Sequence, residues 1–313
     1  MQLHQLAYFV AVAETRHFTR AAEHSRVAQP SLSKQVQVLE KELGAPLFRR
    51  ARGNVTLTPA GEALLPLARR ILADVETARR EVQDLAGLRR GRVRLGATPS
   101  LCTGLLPDVL ARFRDRFPGI ALEIEEGGSR DLVGQLATGS LDLALIILRP
   151  QARDPALTTT PILREHLVLA SAAARPIRPL TVAELRDVPL VMFREGYDLR
   201  DVTVAACRRE GFEPRYVVEG GEMDAVLRFV QAGLGAAVVP SMVVAGRREF
   251  RATPFVAPGL TRTVGLAHRR DVEPPRAARE FERTLFALLA SPGALPAGVE
   301  VLSSGSGLPI SAT

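Results

Sequence analysis

The stretch Phe18-Thr19-Arg20-Ala21-Ala22-Glu23-His24-Ser25-Arg26-Val27-Ala28-Gln29-Pro30-Ser31-Leu32-Ser33-Lys34-Gln35-Val36 decides how the chain is read. Thr19 reads as the N-cap of a short helix carrying Ala21 and Ala22 inward, since a threonine hydroxyl accepts from the free amides of a first turn. Pro30 is favoured in a first helical turn, and Leu32, Val36 and Leu39 recur at helical spacing until Gly44 stops the segment. Ahead of both, Leu3, Leu6, Phe9, Val10 and Ala13 share one face of a further helix. Behind them, Arg52-Gly53-Asn54 reads as a hairpin turn.

Two helices joined by a short turn have the spacing of a helix-turn-helix, whose second helix lies in the major groove of DNA. That helix offers Gln29, Ser31, Ser33, Lys34 and Gln37. Gln pairs with N6 and N7 of adenine, Lys with guanine, and Ser with bases or phosphates. Arg49, Arg50 and Arg52 in the hairpin suit phosphates or a minor groove. The bland alternative is a solvated polar face.

Charge points the same way. The 313 residues carry 41 Lys+Arg and 34 Asp+Glu, a net +7. Residues 1–58 hold eight basic and four acidic side chains, so more than half the excess sits in under a fifth of the chain. An arginine-rich composition explains Arg over Lys but not this clustering, which favours a polyanionic partner. The length exceeds what one core usually supports, so more than one domain is expected. Two cysteines make no disulfide framework and fit a reducing cytosol, and no signal peptide is visible. The uncharged span 229–246 contains Gly233, Gly235 and Pro240, which fit a helix, a turn and a buried strand better than a membrane span. The protein reads as cytoplasmic, with no membrane partner.

Thr58-Pro59 reads as the start of a long helix to about residue 90. Leu64, Ala68, Ile71, Val75, Ala78, Val82 and Leu85 follow one another in steps of four and three, a heptad seam that points to dimerisation. The alternative is an amphipathic helix lying on its own domain. Pro66 should kink it near its start.

From Arg92 short strands alternate with helices, which implies an α/β domain with a parallel sheet. Strands are expected at 93–96, 121–126, 141–148, 190–193, 216–219 and 236–239, and helices at 105–117, 131–137, 199–211, 223–232 and 276–290. The two α/β halves would join near residues 161–165 and enclose a cleft. Three turns face such a cleft after strands, around Thr98-Pro99-Ser100-Leu101-Cys102-Thr103, Gly127-Gly128-Ser129 and Gly220-Gly221-Glu222-Met223. Hydroxyls at helix N-termini suit a small metabolite, a carboxylate among the candidates; for each residue the alternative is a cap that never touches ligand. The Gly/Ser/Pro-rich residues 291–313 read as a disordered tail.

Several chemistries find no support. The histidines at 4, 17, 24, 166 and 268 show no metal-ligand spacing. Gly233-Leu234-Gly235 follows a helix and precedes a strand, the reverse of a dinucleotide fingerprint. No catalytic constellation is present, and neither a cofactor nor a metal is expected.

Phe18-Thr19-Arg20-Ala21-Ala22, Val27 through Val36, Leu39-Glu40, Leu43-Gly44, Leu47-Phe48-Arg49-Arg50 and Leu57-Thr58-Pro59-Ala60-Gly61 resemble the winged-helix signature of LysR-type transcriptional regulators. The likeness is collinear through the first 61 residues and looser to about residue 290. Ala28 departs from it, since many members carry a capping Ser there. The resemblance implies a winged helix-turn-helix domain (1–58), a linker helix (59–90) and a two-lobed effector domain (91–290) like type 2 periplasmic binding proteins. Lobe I would span about 91–162 and 266–290, and lobe II about 163–265. It implies DNA contacts from Thr19, Gln29, Pro30, Ser31, Ser33, Lys34, Gln37, Arg50 and Arg52. Effector contacts would come from Thr98, Ser100, Leu101, Thr103, Ser129, Phe193 and Met223. The implied partners are an inverted-repeat site on double-stranded DNA, a small-molecule effector, RNA polymerase, and further copies of the chain as a dimer assembling to a tetramer. Some peroxide-sensing members use two nearby cysteines, which raises a redox role for Cys102; nothing in the sequence places Cys207 beside it. Two other readings stay open: a solute-binding protein or enzyme with an incidental N-terminus, and a constitutive DNA-binding repressor with a vestigial cleft.

Overall fold

A computed structural model describes residues 1–51, 54–84, 91–149, 154–172, 178–293 and 295–302. The chain forms two compact units, the first built from Met1–Ala86 and the second from most of the remainder.

In the first unit, α1 (Leu3–Thr15), α2 (Phe18–His24) and α3 (Gln29–Leu43) precede a hairpin of β1 (Phe48–Ala51) and β2 (Asn54–Leu57), and α4 (Pro59–Asp84) closes it. The apolar periodicity becomes one core of Leu6, Phe9, Val12, Ala21, Ala22, Leu32, Val36, Leu39, Leu47 and Phe48. Phe48 brings the hairpin onto the helices, its ring 5.3 Å from Phe9 and 5.7 Å from Phe18. The cap of α2 is His17, not Thr19. Its backbone is extended, and its Nδ1 accepts from the Thr19 and Arg20 amides at 3.2 and 3.4 Å, which leaves Thr19 inside the first turn. Gly44 ends α3 at φ +69, a conformation open to glycine at little cost. Thr58 caps α4 as expected, accepting from the Gly61 amide at 3.1 Å and donating to the Pro46 carbonyl at 2.6 Å. Gly61 is held against the hairpin so closely that a Cβ there would lie 2.2 Å from the Leu47 carbonyl oxygen. Pro66 lies within α4 without ending it.

The second unit has two lobes. Lobe I contains β3 (Gly91–Ala97), α5 (Pro99–Gly104), α6 (Leu106–Arg116), β4 (Ile120–Glu126), α7 (Ser129–Ala137), β5 (Leu143–Leu148) and, near the C-terminus, α11 (Arg276–Leu289). Lobe II contains β7 (Leu190–Met192), α8 (Asp198–Arg209), β8 (Tyr216–Glu219), α9 (Met223–Gln231), β9 (Ala236–Pro240), α10 (Ser241–Val244) and β10 (Arg251–Pro254). The lobes share one long strand, β6 (Leu157–Ser171). Its first part pairs with β11 (Thr261–Arg269) and its last part with β9 and β10. Within each lobe the strands of the βαβ units run parallel, as their alternation implied, but β6 and β11 are antiparallel, so the sheet is mixed.

Leu163 and Val264 belong to the lobe I core with Val93, Leu95, Phe113 and Phe281, whereas Leu167 and Leu260 belong to the lobe II core. The sequence-based boundaries put Leu163 and Val264 in lobe II. Pairing of β11 with β5 through Thr263–Ala267 draws both back into lobe I. Met242 of α10 packs into the lobe I core while its neighbours Val243 and Val244 pack into that of lobe II. The expected membrane-length span resolves into α9, a turn at Gly233 (φ +79) and the buried β9, and no helix among the described residues is long and apolar enough to cross a membrane. Part of the expected tail is ordered: β12 (Val299–Val301) pairs with β6 at Leu163–Glu165. Residues 303–313, the linker end with Leu85, and Arg52 lie outside the described residues.

Candidate functional site

The first unit presents α3 as a surface helix. Leu32, Val36 and Leu39 are fully buried, while Gln29, Pro30, Ser31, Lys34 and Gln37 are exposed and Ser33 is half-buried. Thr19 is exposed at the start of α2, and the turn between the helices is closed by Arg26 at φ +55. Glu40 accepts from the Leu47 amide at 2.8 Å and so ties α3 to the hairpin that carries Arg49, which is exposed. The side chain of Arg50 is not among those described. Val38 and Leu43 of α3 are exposed too, but as single apolar side chains among polar ones rather than as a patch, so the described surface of α3 suits a polar, charged polymer better than a protein core.

The heptad residues divide. Leu64, Ala68 and Ile71 pack against the core of the first unit, which is the amphipathic alternative realised for the first half of α4. Arg69 reinforces this through a 2.9 Å ion pair with Glu14. Farther along, Val75 is half-buried, Ala78 is exposed and Val82 is 69% exposed.

In the second unit the three expected turns face one another across the lobes, but most of their hydroxyls are already engaged. The Arg262 guanidinium, 3% exposed, pairs with Glu165 at 2.8 Å and donates to Ser100 Oγ at 2.8 Å; Thr98 Oγ1 lies 3.4 Å from Ser100 Oγ. Thr103 donates to the Pro99 carbonyl at 3.0 Å. Ser129 accepts from the Ile147 amide and donates to Asp198, both at 3.0 Å. Asp198 also pairs with Arg149 at 2.5 Å, so Ser129 and Arg149 of lobe I are clasped to the start of α8 in lobe II. Leu101, Phe193 and Met223 are buried as walls behind these turns, and Phe193 stacks on Tyr197 with centroids 4.7 Å apart.

The charged members of this site escaped the sequence reading. Arg262, Val264 and Leu266 share the buried face of β11, so an arginine in phase with apolar strand residues was the available signal. Glu165 stands in the same way within β6. Tyr197 and Asp198 follow Gly196 at φ +77, a turn opening a helix that the expected start at residue 199 cut off. The Tyr197 hydroxyl and Glu165 Oε1 are buried with no protein partner. Partial loss of solvent at the cleft surface, joined by Glu222 and Asp224, raises the Glu126 carboxyl from its ordinary value.

Burial and the neighbouring Glu126 push the Cys102 thiol up to about 12, and Cys207, buried in the lobe II core, is raised to about 11. Thiols this far from ionisation are poor nucleophiles, which argues against a sensing role in this state. Among the described residues no cluster of His, Cys, Asp and Glu could hold a metal ion. An open groove of about 1050 Å³ near Phe250, Phe255 and the C-terminal Pro296–Gly298 shares none of the residues of the interlobe site.

Comparison with known proteins places both units. The family described as "Bacterial regulatory helix-turn-helix protein, lysR family" matches residues 3–62, and "LysR substrate binding domain" matches residues 86–290. The chain is 35% identical over 280 residues to the HTH-type transcriptional regulator IlvR of Caulobacter vibrioides, covering 88% of this chain and 94% of that one. Among solved structures it resembles full-length OxyR from Pseudomonas aeruginosa, with a TM-score of 0.72 at 30% identity over 91% of this chain and 94% of that one. It also resembles full-length CbnR complexed with its target DNA, with a TM-score of 0.68 at 26% identity over 92% and 99%.

Proposed function

The chain belongs to the LysR family of transcriptional regulators, DNA-binding proteins with an effector-binding domain, and on that premise we propose which of its residues do which work. The exposed face of α3 reads an inverted-repeat operator in the major groove: Gln29 and Lys34 take base edges, Ser31, Ser33 and Gln37 take bases or phosphates, and Thr19 and the hairpin arginines hold the backbone. The observation that carries this is the split of α3 into a fully buried apolar face and an exposed face in which Gln, Ser and Lys predominate beside single apolar residues such as Val38. Replacing Gln29 by Ala is expected to cost about 1–3 kcal/mol at the operator and little on unrelated DNA. Gel-shift titration of both DNAs reads this directly; equal losses on the two would remove Gln29 from sequence reading.

The exposed half of the α4 seam, Val75, Ala78 and Val82, pairs two chains, and dimers associate into a tetramer in the cytoplasm. A small effector binds between the lobes, near Ser100, Thr98 and the Ser129–Asp198 contact, and its binding alters the DNA-bound arrangement by favouring one interlobe geometry. Because the lobes already touch through Arg149, Ser129 and Asp198, an effector that changes those contacts has a differential free energy to convey. The constitutive alternative predicts no metabolite that shifts the thermal midpoint.

A further inference from the structure

The effector site just proposed has a charge balance that selects among ligands, and this inference rests on that reading. Most of the arginines in it are already matched. Arg262 pairs with Glu165, Arg194 with Glu222 at 2.8 Å, Arg149 with both Asp198 and Asp201, and Arg200 of α8 with Glu219 at 2.6 Å, while Arg130 is exposed at the start of α7. Three of the four helix N-termini at the site, those of α7, α8 and α9, carry carboxylates of this chain, and only the short α5 has none in its first turn. Asp131 lies in the first turn of α7, Asp198 and Asp201 in that of α8, and Asp224 in that of α9, with Glu222 at its cap. Glu126, exposed at the end of β4 in lobe I, is left opposite Glu222 and Asp224 of lobe II; its hydrogen-bonding neighbour is the Cys102 thiol, and among the described residues no cation is paired with it. Among these groups, Arg130, Arg200 and Glu219 included, carboxylates outnumber guanidiniums by eight to five, and Glu126 of lobe I is repelled by Glu222 and Asp224 of lobe II.

A second observation points the same way. Tyr197 is more than nine-tenths buried, its hydroxyl has no protein partner, and the charges acting on it are Arg262, itself paired with Glu165, and then the carboxylates of Glu222, Glu126 and Asp198. A buried phenol oxygen without a partner carries a cost that a ligand donor removes. Its ring already has Arg194 6.0 Å above it, so its face tolerates positive charge.

We propose that the effector of this protein carries a protonated amine, seated between Glu126 of lobe I and Glu222 of lobe II with the Tyr197 hydroxyl as a further acceptor. An ammonium there satisfies acceptors from both lobes and cancels the repulsion between them, so its binding draws the lobes together.

The test is isothermal titration calorimetry on the full chain with a panel in three arms: α-amino acids, diamines, and the carboxylic acids that match the amino acids without the amine. Binding by members of either amine arm and none by the matched acids is expected. Binding by amino acids alone adds a carboxylate contact to the ammonium one, and binding by diamines identifies the ammonium as sufficient. Glu126→Gln, which keeps shape and removes charge, should weaken the amine at least about tenfold, and Tyr197→Phe should weaken it less. Circular dichroism of each variant checks that it folds. Acids binding as well as amines, an unaffected Glu126→Gln protein, or silence from both amine arms at millimolar concentration each overturns the proposal. The regulatory reading fails separately: an amine that binds through Glu126 yet leaves operator affinity unchanged in gel shifts would sink the effector role and keep the site.

Discussion

Single residues carry unequal weight in this chain. Glu165 and Arg262 form an ion pair with side chains 0% and 3% exposed, so removing either partner strands a charge in the interior. Glu165→Ala is expected to destabilise the second unit by about 3–5 kcal/mol, whereas replacing both residues by apolar ones of similar volume should recover much of that loss. Urea unfolding of the single and double variants reads the difference. Gly61→Ala tests a steric requirement instead, since the new methyl would meet the Leu47 carbonyl; a loss of about 1–3 kcal/mol is expected in the same assay. Glu126 behaves differently because partial loss of solvent, Glu222 and Asp224 raise its carboxyl from the ordinary value although the residue is exposed. A folded state that holds a proton more tightly than the unfolded one loses stability as pH rises from the ordinary carboxylate value through the raised one. Glu126→Gln should therefore raise Tm at neutral pH, and the gain should vanish when both proteins are melted below the ordinary carboxylate range.

At the scale of elements, the seam of α4 divides into a packed half and an exposed half. Leu64, Ala68 and Ile71 are spent on the chain's own core, and Val82 at 69% exposure is not. Val82→Asp should leave the thermal midpoint of the first unit unchanged and lower the association state seen by analytical ultracentrifugation. A monomer–dimer balance unmoved by that change would return the seam to the amphipathic reading. What was legible in the sequence follows the same division. The heptad spacing of α4, the buried stripe of α3 and the βαβ alternation were visible because each is a local periodicity. The partner of each stripe was not, since burial by the same chain and burial by another copy leave identical spacing. Likewise β11 and the last strand, β12, are specified by antiparallel pairing with β6 across more than 90 residues, which no local pattern reports. Ser100 and Ser129 could be picked out as hydroxyls at helix starts. Their actual partners, Arg262 and Asp198, come from distant segments.

For the whole molecule, the excess of eight basic over four acidic side chains in residues 1–58 predicts an operator affinity that falls steeply with salt. The logarithm of the association constant should decline linearly with the logarithm of salt concentration, with a slope near −0.9 for each phosphate neutralised. A salt-independent Kd would contradict electrostatic docking of this unit. The effector unit, near charge balance, contributes its specificity through placement of charge rather than through its total.

The chain passes between the lobes twice, outward on β6 between Leu163 and Leu167 and back between Leu260 and Val264 at the start of β11. Two neighbouring strands joined by hydrogen bonds make a strap rather than a thread. A strap bends out of its plane and twists about its length far more easily than it bends within its plane, so the lobes can open, close and rotate but slide sideways only with difficulty. A ligand that closes the cleft thereby works along the soft motions that the strap already allows. The same double crossing means that a protease cut at the exposed Val256, in the loop before β11, would break the covalent return from lobe II yet leave both strands of the strap whole and hydrogen-bonded to one another.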